Sequence, residues 1–229
     1  MPELPEVETI ARELKKQIVG LKITDVWADR EKPFKQAGGL KKFLKEVKNK
    51  KIIDVRRRAK FVIMDLEGPK TIFIHQKISG HLLYGQWKKI NSEWKAIKPG
   101  PLRDDPQNKY LRIIFFFNNG YQLALSDLRR FGKVMLISDK DLENLKELKK
   151  LGPEPLEINF NQFKNLFAKK KGRLKPVLMD PFFIAGIGNI YSDEILWDAG
   201  YHPLTRVEKL KENDLKKIFN SIRKILQKA

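Results

Sequence analysis

Cysteine is absent from all 229 residues. That excludes disulfides, thiol nucleophiles and any Cys-ligated zinc site. Histidine is nearly as scarce. His75, His81 and His202 are too few and too scattered to suggest a metal centre. Acidic residues are in deficit, 28 against 47 Lys and Arg, which leaves a formal charge of +19. A solvated lysine-rich surface would account for part of this excess. A field this strong also attracts polyanions, of which nucleic acid is the commonest. Long apolar runs are missing too: none approaches the ~20 residues that a membrane span needs. No apolar stretch follows a basic start, as a signal peptide requires. The expectation is a cytoplasmic protein with no membrane partner.

Material for a core is present, with hydrophobic residues at 41% of the chain. Residues 5–19, PEVETIARELKKQIV, carry Val7, Ile10, Ala11, Leu14 and Ile18 at helical spacing and are closed by Gly20. From there to about residue 138 the period changes to short β-rich runs, among them KIIDVRRRAKFVIMDLE, TIFIHQ, YLRIIFFF and KVMLIS. NNG in FFFNNGYQLAL is a hairpin signal. Seven or eight strands suggest a sandwich or barrel. Beyond LGPEP the pattern turns helical, over 160–170, 175–179, 188–199 and 207–228. The fold class predicted is α+β, an N-terminal helix plus β-sandwich domain followed by an all-helical domain. The boundaries expected are 1–138, a linker over 139–156, and 157–229.

The first eight residues, MPELPEVE, pose a chemical question, because a rigid acidic terminus is unusual in so basic a chain. Acidic residues favour the first turn of a helix, which is one account of it. AGIGNIYSDEIL holds two glycines around an apolar residue and then a helix start. Such a turn presents backbone N–H groups and a positive dipole end to a phosphate.

PELPEVE, RRRAKF, HQKISG, DLRRFG, LGPEPL and AGIGNIYSDEILWDAGYHP, in that order from residue 2 to about residue 203, resemble the formamidopyrimidine-DNA glycosylase and endonuclease VIII family. PELPEVET and LGPEPL are closest to the formamidopyrimidine type. The resemblance implies a helix–two-turn–helix element in the second domain. It also implies excision of oxidised purines in base-excision repair, with abasic-site lyase activity by β,δ-elimination.

Site residues follow from the same resemblance. Pro2, freed of Met1, is the nucleophile, Glu3 moves protons, Glu6 is a supporting carboxylate, and Lys60 contacts phosphates around the lesion. DNA-binding groups are His75, Arg130, Gly186, Gly188, Asn189 and Tyr191. Ile78, Arg129 and Phe131 fill the void left by the extruded base, Arg129 facing the orphaned partner. Ile78 replaces the usual methionine, and Gln76 and Lys77 replace a usual Leu-Gly. A buried, satisfied histidine competes for His75, and core packing competes for Ile78 and Phe131.

The expected partner is damaged double-stranded DNA, bound by a monomer associated with the bacterial nucleoid. No cofactor is expected, because the family's C-terminal zinc finger has no counterpart among these residues. Whether that reflects a natural finger-less form or a truncation stays open, as does the preferred lesion. A non-catalytic binder of lesions or abasic DNA is the alternative function, and a general basic nucleic-acid protein is a third.

Overall fold

Val7, Ala11, Leu14 and Ile18 recur every three to four residues, and all four are buried along one side of α1 (Leu4–Ile18). Pro5 sits in its first turn, where a missing N–H costs nothing. The computed structural model describes residues 1–142, 146–168 and 170–229.

After α1 come β1 (Ile23–Ala28), a 3₁₀ turn over Lys32–Ala37 and α2 (Leu40–Val47). Then follow β2 (Ile52–Arg58), β3 (Phe61–Leu66), β4 (Lys70–His75), β5 (Gly80–Gly85), β6 (Trp87–Ile90) and β7 (Glu93–Ala96). A short α3 (Pro101–Asp104) precedes β8 (Leu111–Phe117), β9 (Gln122–Asp127) and β10 (Lys133–Ser138). Helices complete the described chain: α4 (Asp139–Leu142), α5 (Lys146–Lys149), α6 (Phe160–Phe167), α7 (Leu174–Met179), α8 (Asn189–Ala199) and α9 (Glu212–Lys228).

The chain divides into two compact units. One comprises Met1–Pro2, Val7–Arg57 and Phe61–Glu143; the other comprises Glu3–Glu6, Arg58–Lys60 and Asn144–Ala229. In the first unit, two four-stranded sheets run in the orders β1-β8-β9-β5 and β10-β4-β3-β2. Val26, Ile113, Phe115 and Leu123 from one sheet share a core with Val62, Met64, Ile72 and Val134 from the other. This is the expected sandwich, and α1 adds Val7, Ala11 and Ile18 to the same core. NNG forms the β8–β9 turn, with Gly120 at φ +79°.

Two features lay outside the sequence reading. LKKFLKEV folds as α2, burying Phe43 and Val47, within a stretch expected to be β. A β6–β7 hairpin turns at Asn91 and Ser92, which have φ of +48° and +67°. The pair Asn-Ser takes the left-handed conformation that Asn-Gly would have advertised.

The second unit has its own core of Phe163, Leu178, Ile184, Ile195, Ile218 and Ile222, and Leu4 belongs to it. α9 starts later than the predicted 207, because Val207–Lys209 is a separate 3₁₀ turn. The Asp214 carboxylate accepts the Lys211 N–H at 2.7 Å and fixes the start there. No helix among the described residues is long and apolar enough to cross a membrane.

Candidate functional site

Glu3 is 1% exposed, so its carboxylate needs partners. It finds them at the start of α8. One oxygen accepts the N–H of Gly188 at 2.7 Å and of Tyr191 at 3.3 Å, and the other accepts Ile190 N–H at 2.9 Å. An anion at a helix N-terminus is favoured by both the unpaired donors and the dipole. The anion that the backbone grips at AGIGN is the protein's own carboxylate, where a phosphate was expected. Gly188 is bound to Glu3 instead of offering a free N–H to phosphate. Gly186 accepts the Leu4 N–H at 3.0 Å through its carbonyl.

Both glycines are dictated by this approach. A Cβ on Gly188 would lie 2.4 Å from the Glu3 carboxyl carbon and 2.5 Å from Lys60 Nζ. Gly186 has φ +86°, and a Cβ there would meet Leu4 at 2.8 Å.

Glu6 is exposed and works at both ends. One oxygen accepts the Glu3 N–H at 2.8 Å, and the other accepts the Tyr191 hydroxyl at 2.6 Å. Burial and that bond push the Tyr191 phenol well above its ordinary range, so it stays a donor. Burial holds the Lys60 amine below the usual lysine range, with Glu3 and Glu6 pulling the other way. Asn189, between these residues, is exposed.

Lys60 is positioned by residues that sequence reasoning did not assign. Ala59 has φ +52°, an unusual left-handed turn for a residue with a side chain. Its N–H donates to Glu154 at 2.7 Å, and Arg58 donates to the same oxygen at 2.6 Å. Arg58 also reaches the Gly152 carbonyl at 2.6 Å. RRRAKF and LGPEPL are thus the two halves of one clamp, which neither motif reveals alone.

In the first unit the void-filling candidates stand on two adjoining loops. Ile78 and Phe131 are 47% and 50% exposed, too open for the core packing that competed with their role. The Arg129 guanidinium lies over the Phe131 ring at 4.9 Å. Asp127, buried at 1% exposure, ties the loops together. It accepts from the Ser79 hydroxyl, from Arg129 N–H at 3.1 Å and from Gly132 N–H at 2.7 Å. Arg130, at φ +58°, pairs with Asp29 at 3.2 Å. His75 is half-buried, accepts the Lys77 N–H at 3.0 Å through Nδ1 and stands edge-on to Phe61.

No group of three or more His, Asp or Glu among the described residues could hold a metal ion. With no cysteine in the sequence, the residues present do not fit a Cys-ligated zinc either.

The sequence pattern of the formamidopyrimidine-DNA glycosylase N-terminal domain matches residues 1–134, and that of the H2TH domain matches residues 151–229. The chain belongs to the formamidopyrimidine-DNA glycosylase family. This makes it an enzyme of the DNA-repair glycosylase type. A formamidopyrimidine-DNA glycosylase of Pelotomaculum thermopropionicum is 36% identical over 233 residues, covering 100% of this chain and 78% of that one. One from Prochlorococcus marinus is 37% identical over 231 residues, covering 99% and 78%. The Lactococcus lactis Fpg, solved with DNA containing an abasic site, superposes with a TM-score of 0.83 at 32% identity, covering 99% of this chain and 78% of that one. The same protein with N7-benzyl-Fapy-dG DNA gives 0.84 at 33%, covering 100% and 78%.

Proposed function

We propose that the chain removes oxidised purines from double-stranded DNA and then cleaves the resulting abasic site, with Pro2 as the nucleophile. The observation that carries this reading is the Glu3 carboxylate. It is buried, fixed by three backbone N–H groups, beside the Lys60 amine, and one peptide bond from Pro2.

Met1 is 46% exposed, and its removal leaves Pro2 as a secondary amine. Ordinary terminal amines titrate at about 7.7–8.0, so a neutral fraction exists at working pH. The nitrogen lone pair attacks the sugar C1′. The bond from C1′ to the damaged base breaks, and the base leaves with the bonding pair and takes a proton. Attack leaves the Pro2 nitrogen with a surplus proton. Glu3 takes that proton and returns it to the ring oxygen as the C1′–O4′ bond opens.

The product is an iminium whose positive charge is permanent, because the single N–H proton of the secondary amine has already gone to the ring oxygen and the iminium nitrogen has none to lose. This charge acidifies the C2′ hydrogen. Its loss expels the 3′ phosphate, and a second elimination expels the 5′ phosphate. Water then releases the sugar fragment and restores the amine.

Lys60, His75, Arg130 and Asn189 would hold phosphates, and Lys60 stands nearest the chemistry. Glu6 and Tyr191 keep the terminal backbone in place, while Gly186 and Gly188 admit Leu4 and Glu3. Ile78, Arg129 and Phe131 would occupy the space of the extruded base, with Arg129 offering its fork to the orphaned partner. The protein would work as a monomer, its 1–138 domain carrying Pro2 and the wedge and its 157–229 domain carrying the α8 turn.

Cleavage of duplexes carrying 8-oxoguanine or an abasic site tests the reading, with Glu3→Gln as the comparison. Cleavage that falls about 100-fold or more with the substitution supports it. Lesion-preferring binding with no cleavage would select the non-catalytic binder instead.

A further inference from the structure

A cavity of about 920 Å³ opens in the first unit beside the β6–β7 hairpin. That size falls within the roughly 300–1,000 Å³ typical of small-molecule sites. Trp27, Trp94 and Tyr110 supply aromatic walls, and Trp87 beside them is buried at 3% exposure. Lys95, Arg103, Lys109, Arg112 and Arg130 bring five cations, against the two carboxylates of Asp29 and Glu93. None of the aromatic residues or the first three cations has a part in the lyase chemistry.

Two details point to a ligand with both a flat ring and an anion. Arg112 and Arg130 converge on one oxygen of Asp29, each at 3.2 Å, so two guanidinium charges share a single carboxylate. Trp94 stands edge-on to Trp27 at 5.5 Å, which keeps two indoles at the same wall.

We propose that this cavity binds a nucleoside monophosphate unit, its base among the tryptophans and its phosphate on Arg112 and Arg130. Stacking on aromatic faces tolerates any base, and the arginine fork suits a phosphate. The unit could come from a nucleotide turned out of a DNA strand or from free nucleotide, and the chemistry is the same.

Intrinsic fluorescence reads the site directly, because three of the four tryptophans line the cavity and Trp197 does not. In the Trp197→Phe protein, dGMP is expected to quench saturably. Deoxyguanosine and inorganic phosphate should each bind more weakly than dGMP. Arg130→Ala, which loses the Asp29 pair at a partly exposed side chain, should weaken dGMP by about tenfold with unchanged far-UV dichroism. Trp94→Leu should weaken it as well. Competition by a short single strand assigns DNA as the source, and no competition by that strand assigns free nucleotide. Quenching without saturation, or the same midpoint in both variants, overturns the proposal. Pro2→Gly should bind dGMP normally, so this result and the lyase result can fail separately.

Discussion

Ala59 and Glu154 stand 95 residues apart in sequence, yet the backbone N–H of one donates to the carboxylate of the other at 2.7 Å. The bond holds a left-handed turn at Ala59 and delivers Lys60 to Glu3. Glu154→Ala would leave the Ala59 N–H and the Arg58 guanidinium without their shared acceptor. A buried group stripped of its partner costs about 1–3 kcal/mol. Urea unfolding should show a loss of that order. Glu154→Gln keeps one amide oxygen as acceptor and should lose less. Equal losses would mean that the oxygen does not organise the turn.

Gly188 is predicted to tolerate no side chain. The Cβ of Gly188→Ala would sit 2.4 Å from the Glu3 carboxyl carbon, so the carboxylate must move. Strand cleavage should fall about 100-fold, comparable to losing a general acid–base group. Binding of an uncleavable abasic analogue should change far less. A fully active alanine variant would show that Glu3 need not occupy this position.

Lys60 gives a pH prediction. Burial holds its folded-state pKa below the unfolded value, so between the two the unfolded chain binds more protons. Stability from this group therefore rises with pH through that alkaline window, and at neutral pH its burial penalty is fully present. Lys60→Met should not lower the midpoint of thermal unfolding at neutral pH and should flatten its alkaline rise, while cleavage drops. A variant that is destabilised at neutral pH would contradict the assignment of burial as the dominant effect.

Lys77 should be replaceable with profit. Its φ of +58° strains any residue with a Cβ, where the family's usual glycine would not be strained. Lys77→Gly is expected to stabilise by about 0.5–1 kcal/mol in urea unfolding, net of the glycine's extra chain entropy. Destabilisation would mean that the lysine side chain contributes more than its backbone costs.

Part of this architecture is written locally in the sequence and part is not. Helix α1 was legible because Val7, Ala11, Leu14 and Ile18 repeat at helical spacing and all are buried. The β8–β9 hairpin was legible because NNG names its own turn. Helix α2 carried the same kind of signal in Leu40, Phe43, Leu44 and Val47, and was masked by the β-rich stretches on both sides.

Glu3 and the α8 turn were each recognised as chemical features, but their mutual satisfaction links residues 185 to 188 apart. No local pattern encodes that. Glu154 and Asp127 went unassigned for the same reason. A lone acid in a motif reads as surface until the N–H groups that it accepts are located in space.

The most direct test of the central claim is to find the atom that bonds to the sugar. Borohydride reduction of the protein on an abasic duplex, followed by nuclease and protease digestion, should leave a sugar remnant. Tandem mass spectrometry should place that remnant on the N-terminal peptide, at a Pro2 that has lost Met1. A remnant on Lys60 or any other lysine, or trapping that persists undiminished in Pro2→Gly, would contradict the account.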